Sequence, residues 1–361
     1  MIQMDVWHIE GKDFHFGRHG LGIEETSIHF TSDALFSALL CCLKDIKGDD
    51  SVQQWMDLFL GNCPPFVITS AFPRAGEIRF YPKPMSVLKP APIRNLSNKS
   101  EDKLEGKKIK RLRYISEKIF LELLDGYPLS VLASKGETIQ NGEVLVHSDE
   151  VSLLPKDIRD NRMPIWLVNR RPRVSVDRVN SASEIYYSGQ TVFSPDCGLW
   201  FAVRWYDYSE VLTSTFEEAL LFLGDAGIGG ERSSGMGKAF FKKQNTKADL
   251  SYSTNTEWVA LSRYIPAVDE CTVLNNQQAF YSLEKVGGWI SSGTERGQRR
   301  ICLRMLSEGS VFGPIEKAVL GSILNVAPVF LDNQKREVRP LTYPVWRSGL
   351  AFPVSFKREL R

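Results

Sequence analysis

Gly227-Ile228-Gly229-Gly230-Glu231-Arg232-Ser233-Ser234-Gly235-Met236-Gly237-Lys238 lies between a helical pattern and a strand pattern. Its glycines permit positive φ angles and let bare backbone N–H groups approach an anion closely. Arg232 and Lys238 add cations, and Ser233 and Ser234 add hydroxyl donors. The segment is not a P-loop, because Arg232 stands where the first glycine belongs and Ala239 where Ser or Thr belongs. Nor is it a dinucleotide fingerprint, since Arg232 and Phe240 occupy the third-glycine position in the two possible registers. The plain alternative, a flexible helix-to-strand connector, carries the folding entropy of many glycines without using them.

Working outward, the residues before the loop predict a helix over Thr215–Leu223, capped by Ser214 with Glu217 and stopped at Gly224. A strand at Leu199–Tyr206 precedes it, and Ala239–Lys243 follows. At the start of the chain Ile2–Phe16 alternates as a strand. A helix then begins at Thr31 or Ser32, with Asp33 in its first turn and Leu35, Phe36, Leu39, Leu40 and Leu43 on one face. Strands are expected near Phe66–Ala71 and Glu77–Tyr81, joined by a turn at Pro73-Arg74-Ala75-Gly76. A short helix is expected at Ile115–Leu124, and the stretch Ile165–Arg178 reads as part of a hairpin. Setting aside an insertion of about 83–190, residues 1–245 read β-α-β-β-α-β, the order of a ferredoxin-like (RRM-like) split unit. Residues 246–361 open with a polar linker and carry further strands, a possible second copy. The fold class expected is α+β, with tandem ferredoxin-like domains and an inserted hairpin/loop region.

The formal net charge of +2 is unevenly spread. Residues 1–60 sum to −6 and the remainder to +8, which suits a protein neighbour on one face and a polyanion on another. Asn95–Arg113 is polar, rich in Lys and Arg, and reads as a loop. Nowhere is an apolar run long enough to span a membrane, and the first residues lack a secretory signal pattern, so a cytoplasmic protein is expected. The six cysteines fit no metal spacing, and mostly buried thiols are expected. No cofactor or metal is expected.

The glycine segment resembles the signature loop of the RAMP superfamily of CRISPR proteins. Ile28–Leu39, with Ser32-Asp33-Ala34-Leu35-Phe36, is similar to the early helix start of one branch. Arg173–Val179 resembles its Asp-Arg motif, and Gly198–Val203 its following strand. Gly309–Phe312 and Arg347–Phe352 also fit; Ala34 and Glu231 depart from the usual Thr and Asp. The set resembles the type III-A (Csm) effector subunit that caps the guide RNA. That resemblance implies a non-catalytic role in binding the 5′ tag of the guide RNA and in assembly. It further implies contact with the large polymerase-like subunit, the adjacent backbone RAMP subunit and target RNA, with a β-hairpin thumb wedging into the guide–target duplex. The RNA-binding set it implies is Gly227, Gly229, Gly230, Arg232, Ser233, Ser234, Gly235, Gly237, Lys238, His15, Arg18, Arg171, Arg173 and Arg178. In the thumb, Ile165, Trp166, Leu167 and Val168 are expected to form the apolar wedge.

Two other chemistries compete. Some RAMP relatives cut precursor RNA with a histidine base, for which His15, Arg18 and His19 are the candidates in a metal-independent endoribonuclease. Lys47-Gly48-Asp49-Asp50 invites comparison with a palm-type metal site. It follows a helix instead of bridging two strands, and reads as a helix-terminating turn.

Overall fold

The computed structural model describes residues 3–17, 22–23, 25–85, 106–177, 179, 182–246, 248–275, 278–292, 295–331, 334, 336–339 and 341–357. Strand β1 (Gln3–Glu10) lies mid-sheet, followed by helices α1 (Ser32–Lys47) and α2 (Asp49–Leu60). α1 buries Leu35, Phe36, Leu39, Leu40 and Leu43 along one face, and its charges suit the helix dipole, Asp33 in the first turn and Lys44 and Lys47 in the last. Gly48, at φ +85°, ends α1 as the turn expected there, and α2 starts at the next residue. That second helix was not foreseen.

Next come β2 (Phe66–Ile68), β3 (Phe72–Ala75) and β4 (Ile78–Pro82), then β5 (Tyr114–Ser116), α3 (Glu117–Leu124), β6 (Gly136–Ile139) and β7 (Val144–His147). The expected turn at Pro73–Gly76 is mostly strand: β3 pairs with β4 about a tight reversal at Gly76. The hairpin strands β8 (Trp166–Val176) and β9 (Ser183–Phe193) precede β10 (Cys197–Trp205), α4 (Glu210–Ala226) and β11 (Phe240–Gln244). α4 starts a turn earlier than expected. Ser209, not Ser214, is its cap, accepting from Leu212 N, while Ser214 bonds the Val211 carbonyl. Its stop is Gly227 at φ +83°, not Gly224, which is buried within the helix.

One nine-stranded sheet runs β11-β1-β10-β3-β4-β5-β7-β6, with β2 also paired to β10. Its heart, β1-α1-β2/β3-β10-α4-β11, is ordered fourth-first-third-second, as a β-α-β-β-α-β unit requires. The inserted region does not hang loose, because β5, β7 and β6 extend the sheet. Within the expected basic loop Asn95–Arg113, residues 106–111 are helical; the part before residue 106 lies outside the described residues.

All nine residues of β10 are buried. The helices cover one side, and the core continues into the C-terminal half through Leu250, Val259, Phe352 and Val354. Buried Arg204 ties the two, donating to the carbonyls of Leu250 (2.6 Å) and Pro353 (2.8 Å) over the Phe352 ring. The second half contributes β12 (Trp258–Ala260), centre of a three-stranded sheet, and several two-stranded pairs. Its only helical segment among the described residues is a 3-10 stretch, Val268–Asn275. Trp55, Trp166, Trp200, Trp205 and Trp258 are core, as expected, whereas Trp289 is exposed. The cysteines differ from expectation: Cys42 and Cys197 are buried, but Cys41, Cys63, Cys271 and Cys302 are exposed. No helix is long and apolar enough to cross a membrane.

Candidate nucleic-acid interface

The glycine loop is docked, not free. Gly230 N donates to the His15 carbonyl at 2.8 Å, Gly237 N to the Asp13 carbonyl at 2.9 Å, and Ile228 N to the Gly237 carbonyl at 2.8 Å. Gly227, Gly229, Gly235 and Gly237 all have positive φ. A Cβ on Gly229 would sit 2.4 Å from the His15 carbonyl, and one on Gly237 2.3 Å from that of Ile228. Close backbone approach within the protein therefore explains those two glycines. Only Gly235 faces open space. Glu231 also adopts a left-handed conformation, at φ +57°, and starts the short turn Arg232–Ser234. Ser234 N returns to the Glu231 carbonyl at 3.0 Å. The backbone N–H groups of Glu231, Arg232 and Ser233 find no acceptor among the described residues. These amides, with the exposed side chains of Arg232, Ser233, Ser234 and Lys238, are what the loop presents outward.

The hairpin base packs on the same spot. Asp13–Phe14 pairs with β9, Thr191 opposite Phe14 and Val192 opposite Asp13. Gln190 Nε2 donates to Asp13 Oδ2 at 2.8 Å, and Gly189 N to the Ile23 carbonyl at 2.8 Å. His15, buried, holds the Gly189 carbonyl through Nδ1 at 2.8 Å. Its ring therefore carries the proton on Nδ1 when neutral. Arg173, half-buried on β8, reaches Glu231 of the loop at 3.6 Å. Arg171, on the same strand face, is exposed, whereas Arg170 is paired with Glu25 at 2.5 Å.

The structure thus brings together the glycine loop, His15 and Arg173, with Arg171 exposed on the adjoining hairpin. Arg18, His19 and Arg178 lie outside the described residues. The apolar wedge expected at Ile165–Val168 is divided, with Leu167 and Val168 exposed as expected and the first two residues not. Ile165 and Trp166 are buried at the hairpin base, pinned by Gln140, whose Nε2 donates to the Trp166 carbonyl (2.7 Å) and whose Oε1 accepts from Ile165 N (2.8 Å). The exposed apolar side chains run further out, at Leu167, Val168, Val174, Val176, Ile185 and Tyr187.

Sequence reasoning missed the pairings that fix these parts. Asp33 in the α1 start binds Arg347, and both are buried. Each lies in a motif singled out above, but nothing in either segment says that they meet. Beside them Glu308 lies between Arg263 (3.2 Å) and His29 (3.8 Å) and accepts from Ser70 Oγ at 2.5 Å. Burial alone would raise the Glu308 carboxyl, but Arg263, His29 and Ser70 hold it below its ordinary value. Burial also lowers His29.

The first half is thus a β-α-β-β-α-β sheet that carries a docked glycine loop and a long basic hairpin. Residues 253–356 match the CRISPR Csm4 C-terminal domain. The chain is 26% identical over 332 residues to the CRISPR system Cms protein Csm4 of Thermococcus onnurineus (strain NA1), covering 90% of each chain. It is likewise 26% identical over 354 residues to the protein of that name from Streptococcus thermophilus, covering 96% of each. A chain of a solved Csm3-Csm4 subcomplex in the type III-A CRISPR-Cas interference complex superposes with a TM-score of 0.62 at 16% identity, covering 98% of this chain and 99% of that one. A chain of a Csm1-Csm4 cassette in complex with pppApA gives 0.55 at 20% identity, over 99% and 100%. The C-terminal residues thus match the Csm4 C-terminal domain, and the chain over nearly its whole length is similar to Csm4 proteins of CRISPR systems.

Proposed function

We propose that this protein is a non-catalytic subunit of a type III-A Csm complex that holds the 5′ tag of the guide RNA. The observation that carries the reading is the convergence of the glycine loop and the hairpin base on the Asp13–Gly17 segment. It puts uncommitted amides beside Arg232, Lys238, Arg171 and Arg173. Consecutive amides with flanking guanidinium groups suit a phosphodiester. The relatives solved beside Csm1 and Csm3 support contacts with the large polymerase-like subunit and the adjacent backbone RAMP subunit; a cytoplasmic location and target RNA engaging the hairpin complete the proposal. The tandem ferredoxin-like reading belongs here too. The strand order of the first half supports it, while the second half offers strands and one 3-10 segment among its described residues.

The endoribonuclease reading is weaker, because His15 is buried and its Nδ1 is committed to a backbone carbonyl that anchors the hairpin. Incubating the purified chain with repeat-containing RNA tests the choice. Retention of intact RNA is expected, and cleavage that His15→Ala abolishes would overturn the proposal.

A further inference from the structure

A bent hairpin in the C-terminal half carries charges and an aromatic ring that the site above does not use. Its strands are β13 (Leu283–Val286), β14 (Trp289–Ser292), β15 (Glu295–Arg299) and β16 (Leu303–Leu306). β13 pairs with β16, and β14 with β15, both antiparallel. The bend between the two pairs is fixed. Arg300 N donates to the Gly288 carbonyl at 2.9 Å, and Arg347, already bound to Asp33 of α1, donates to the Gly287 carbonyl at 3.1 Å. Ile290, on the strand face opposite Trp289, is buried with Ala327 and Leu341.

Two features of this hairpin lack a use within the fold. Among the described residues Trp289 is the exposed tryptophan, at 60%. It stands opposite Arg299, whose guanidinium carbon lies 4.7 Å from the centre of the indole ring. Gly297 leaves the ring its room, since a Cβ there would sit 3.2 Å from Trp289 Cε3. The second feature is Lys285, exposed and directly opposite exposed Arg304. Like charges facing each other across a strand pair are destabilising. Neither they nor Arg299 form an ion pair among the described residues. The adjacent acid, Glu284, points to the other strand face and is bonded to Arg263 at 2.7 Å. Over residues 285–304 the sequence sets Lys285, Arg296, Arg299, Arg300 and Arg304 against Glu295 alone.

We propose that this hairpin is a second binding element for single-stranded RNA. An unpaired base stacks on the Trp289–Arg299 pair, and a neighbouring phosphate sits between Lys285 and Arg304. Indole rings and guanidinium planes both accept the face of an unpaired base. A phosphate between two opposed cations turns their repulsion into two charge-assisted hydrogen bonds. Four residues separate Lys285 from Trp289, at most roughly 14 Å of backbone, so one short stretch of strand reaches both. A protein neighbour suits the patch less well, because the centre of such an interface is depleted of charge and would desolvate two like-charged side chains together. The proposal rests on the RNA-binding reading above and extends it to a part of the chain outside the glycine loop and the first hairpin.

The test uses the full chain and a single-stranded RNA that carries the repeat-derived tag followed by a run of 4-thiouridines. After irradiation, crosslinks are expected on the peptide that contains Trp289; efficient crosslinking elsewhere with none there would overturn the proposal. Trp289→Ala is expected to weaken RNA binding at least about 5-fold, the low end for one stacked base, with little change in salt dependence. Trp289→Phe, which keeps a ring, should recover most of the loss. Lys285→Gln/Arg304→Gln is expected to weaken binding and to flatten the logarithmic salt dependence by about 0.7, the value for one phosphate on a single strand. Without RNA, that double variant should unfold at a urea concentration no lower than wild type, because it removes a repulsive pair. A lower midpoint would mean that the two charges support the fold, and would overturn the phosphate site. Wild-type RNA affinity and slope in both the Trp289→Ala and the double variant would overturn the hairpin and leave the proposed function standing. If Trp289→Ala unfolds the chain, the crosslink and the double variant decide. RNA that does not bind the wild-type chain overturns the proposed function, and this second element with it.

Discussion

Substituting alanine at two glycines of one loop separates packing from backbone strain. Both Gly229 and Gly235 have φ near +85°, at +83° and +87°. A residue with a Cβ in that region costs roughly 1–2 kcal/mol. At Gly235 nothing lies within 4 Å of the new methyl, so Gly235→Ala should cost only that. At Gly229 the methyl would sit 2.4 Å from the His15 carbonyl oxygen, which must move. That oxygen accepts the Gly230 N–H, and the His15 ring holds the Gly189 carbonyl. Losing or stretching those two bonds adds about 1 kcal/mol each. Gly229→Ala should therefore cost roughly 3–4 kcal/mol in all. Urea denaturation of the purified chain measures both. Tag-RNA affinity, measured well below the unfolding midpoint, should fall in Gly229→Ala and stay near wild type in Gly235→Ala. Equal stability losses, or a larger one at Gly235, would refute the reasoning that the glycine pattern is set by docking on Asp13–Gly17.

Breaking the buried pair between the halves, by Arg347→Met or Asp33→Asn, should destabilise the chain by roughly 3–5 kcal/mol in a denaturation experiment. The double variant Asp33→Leu/Arg347→Met should lose less than the sum of the singles, because it leaves no unpaired charge. Glu231→Ala frees Arg173 from an ion pair, so tag-RNA affinity should hold or improve slightly; a loss of about 10-fold, or 1.4 kcal/mol, would mean that the pair positions the loop. Burial, with Arg74, Arg79 and Lys242 beside it, pushes His8 down to about 3. The unfolded chain then binds a proton that the folded chain refuses, so this contribution is fully present above about pH 6.5 and is lost as pH falls toward 3. The slope is at most about 1.4 kcal/mol per pH unit. Denaturation midpoints from pH 7 to 5 should fall less steeply in His8→Gln than in wild type; parallel curves would contradict the assignment.

The elements that were legible in the sequence are those with strong local signals. α1 declared itself by periodicity and Asp33 in its first turn, β10 by an apolar run, and the hairpin by alternation after Ile165. α2 escaped because Asp49–Leu60 opens with a polar run and buries only Trp55, Met56 and Phe59. The cap of α4 was misread because Ser214 and Glu217 have capping spacing inside a helix that Ser209 already starts. Within the candidate site, the glycine loop could be identified from composition. Its reason could not: Gly229 and Gly237 answer to carbonyls at His15 and Ile228, and the His15 contact joins segments distant in sequence. The expected wedge joined buried Ile165 and Trp166 to exposed Leu167 and Val168, because apolarity alone does not tell a hairpin's buried base from its exposed arm. Asp33–Arg347 and Arg173–Glu231 are tertiary, and no spacing along the chain announces them.

The central claim is that the glycine loop grips the guide-RNA tag, and tag-RNA affinity at two salt concentrations for wild type and Arg232→Ala tests it most directly. A charge-assisted hydrogen bond of about 1.5–3 kcal/mol predicts at least roughly 10-fold weaker binding for Arg232→Ala. Its salt dependence should also be shallower, by about one phosphate contact. Equal affinities and equal slopes would mean that the loop only connects α4 to β11 and that the tag is held elsewhere.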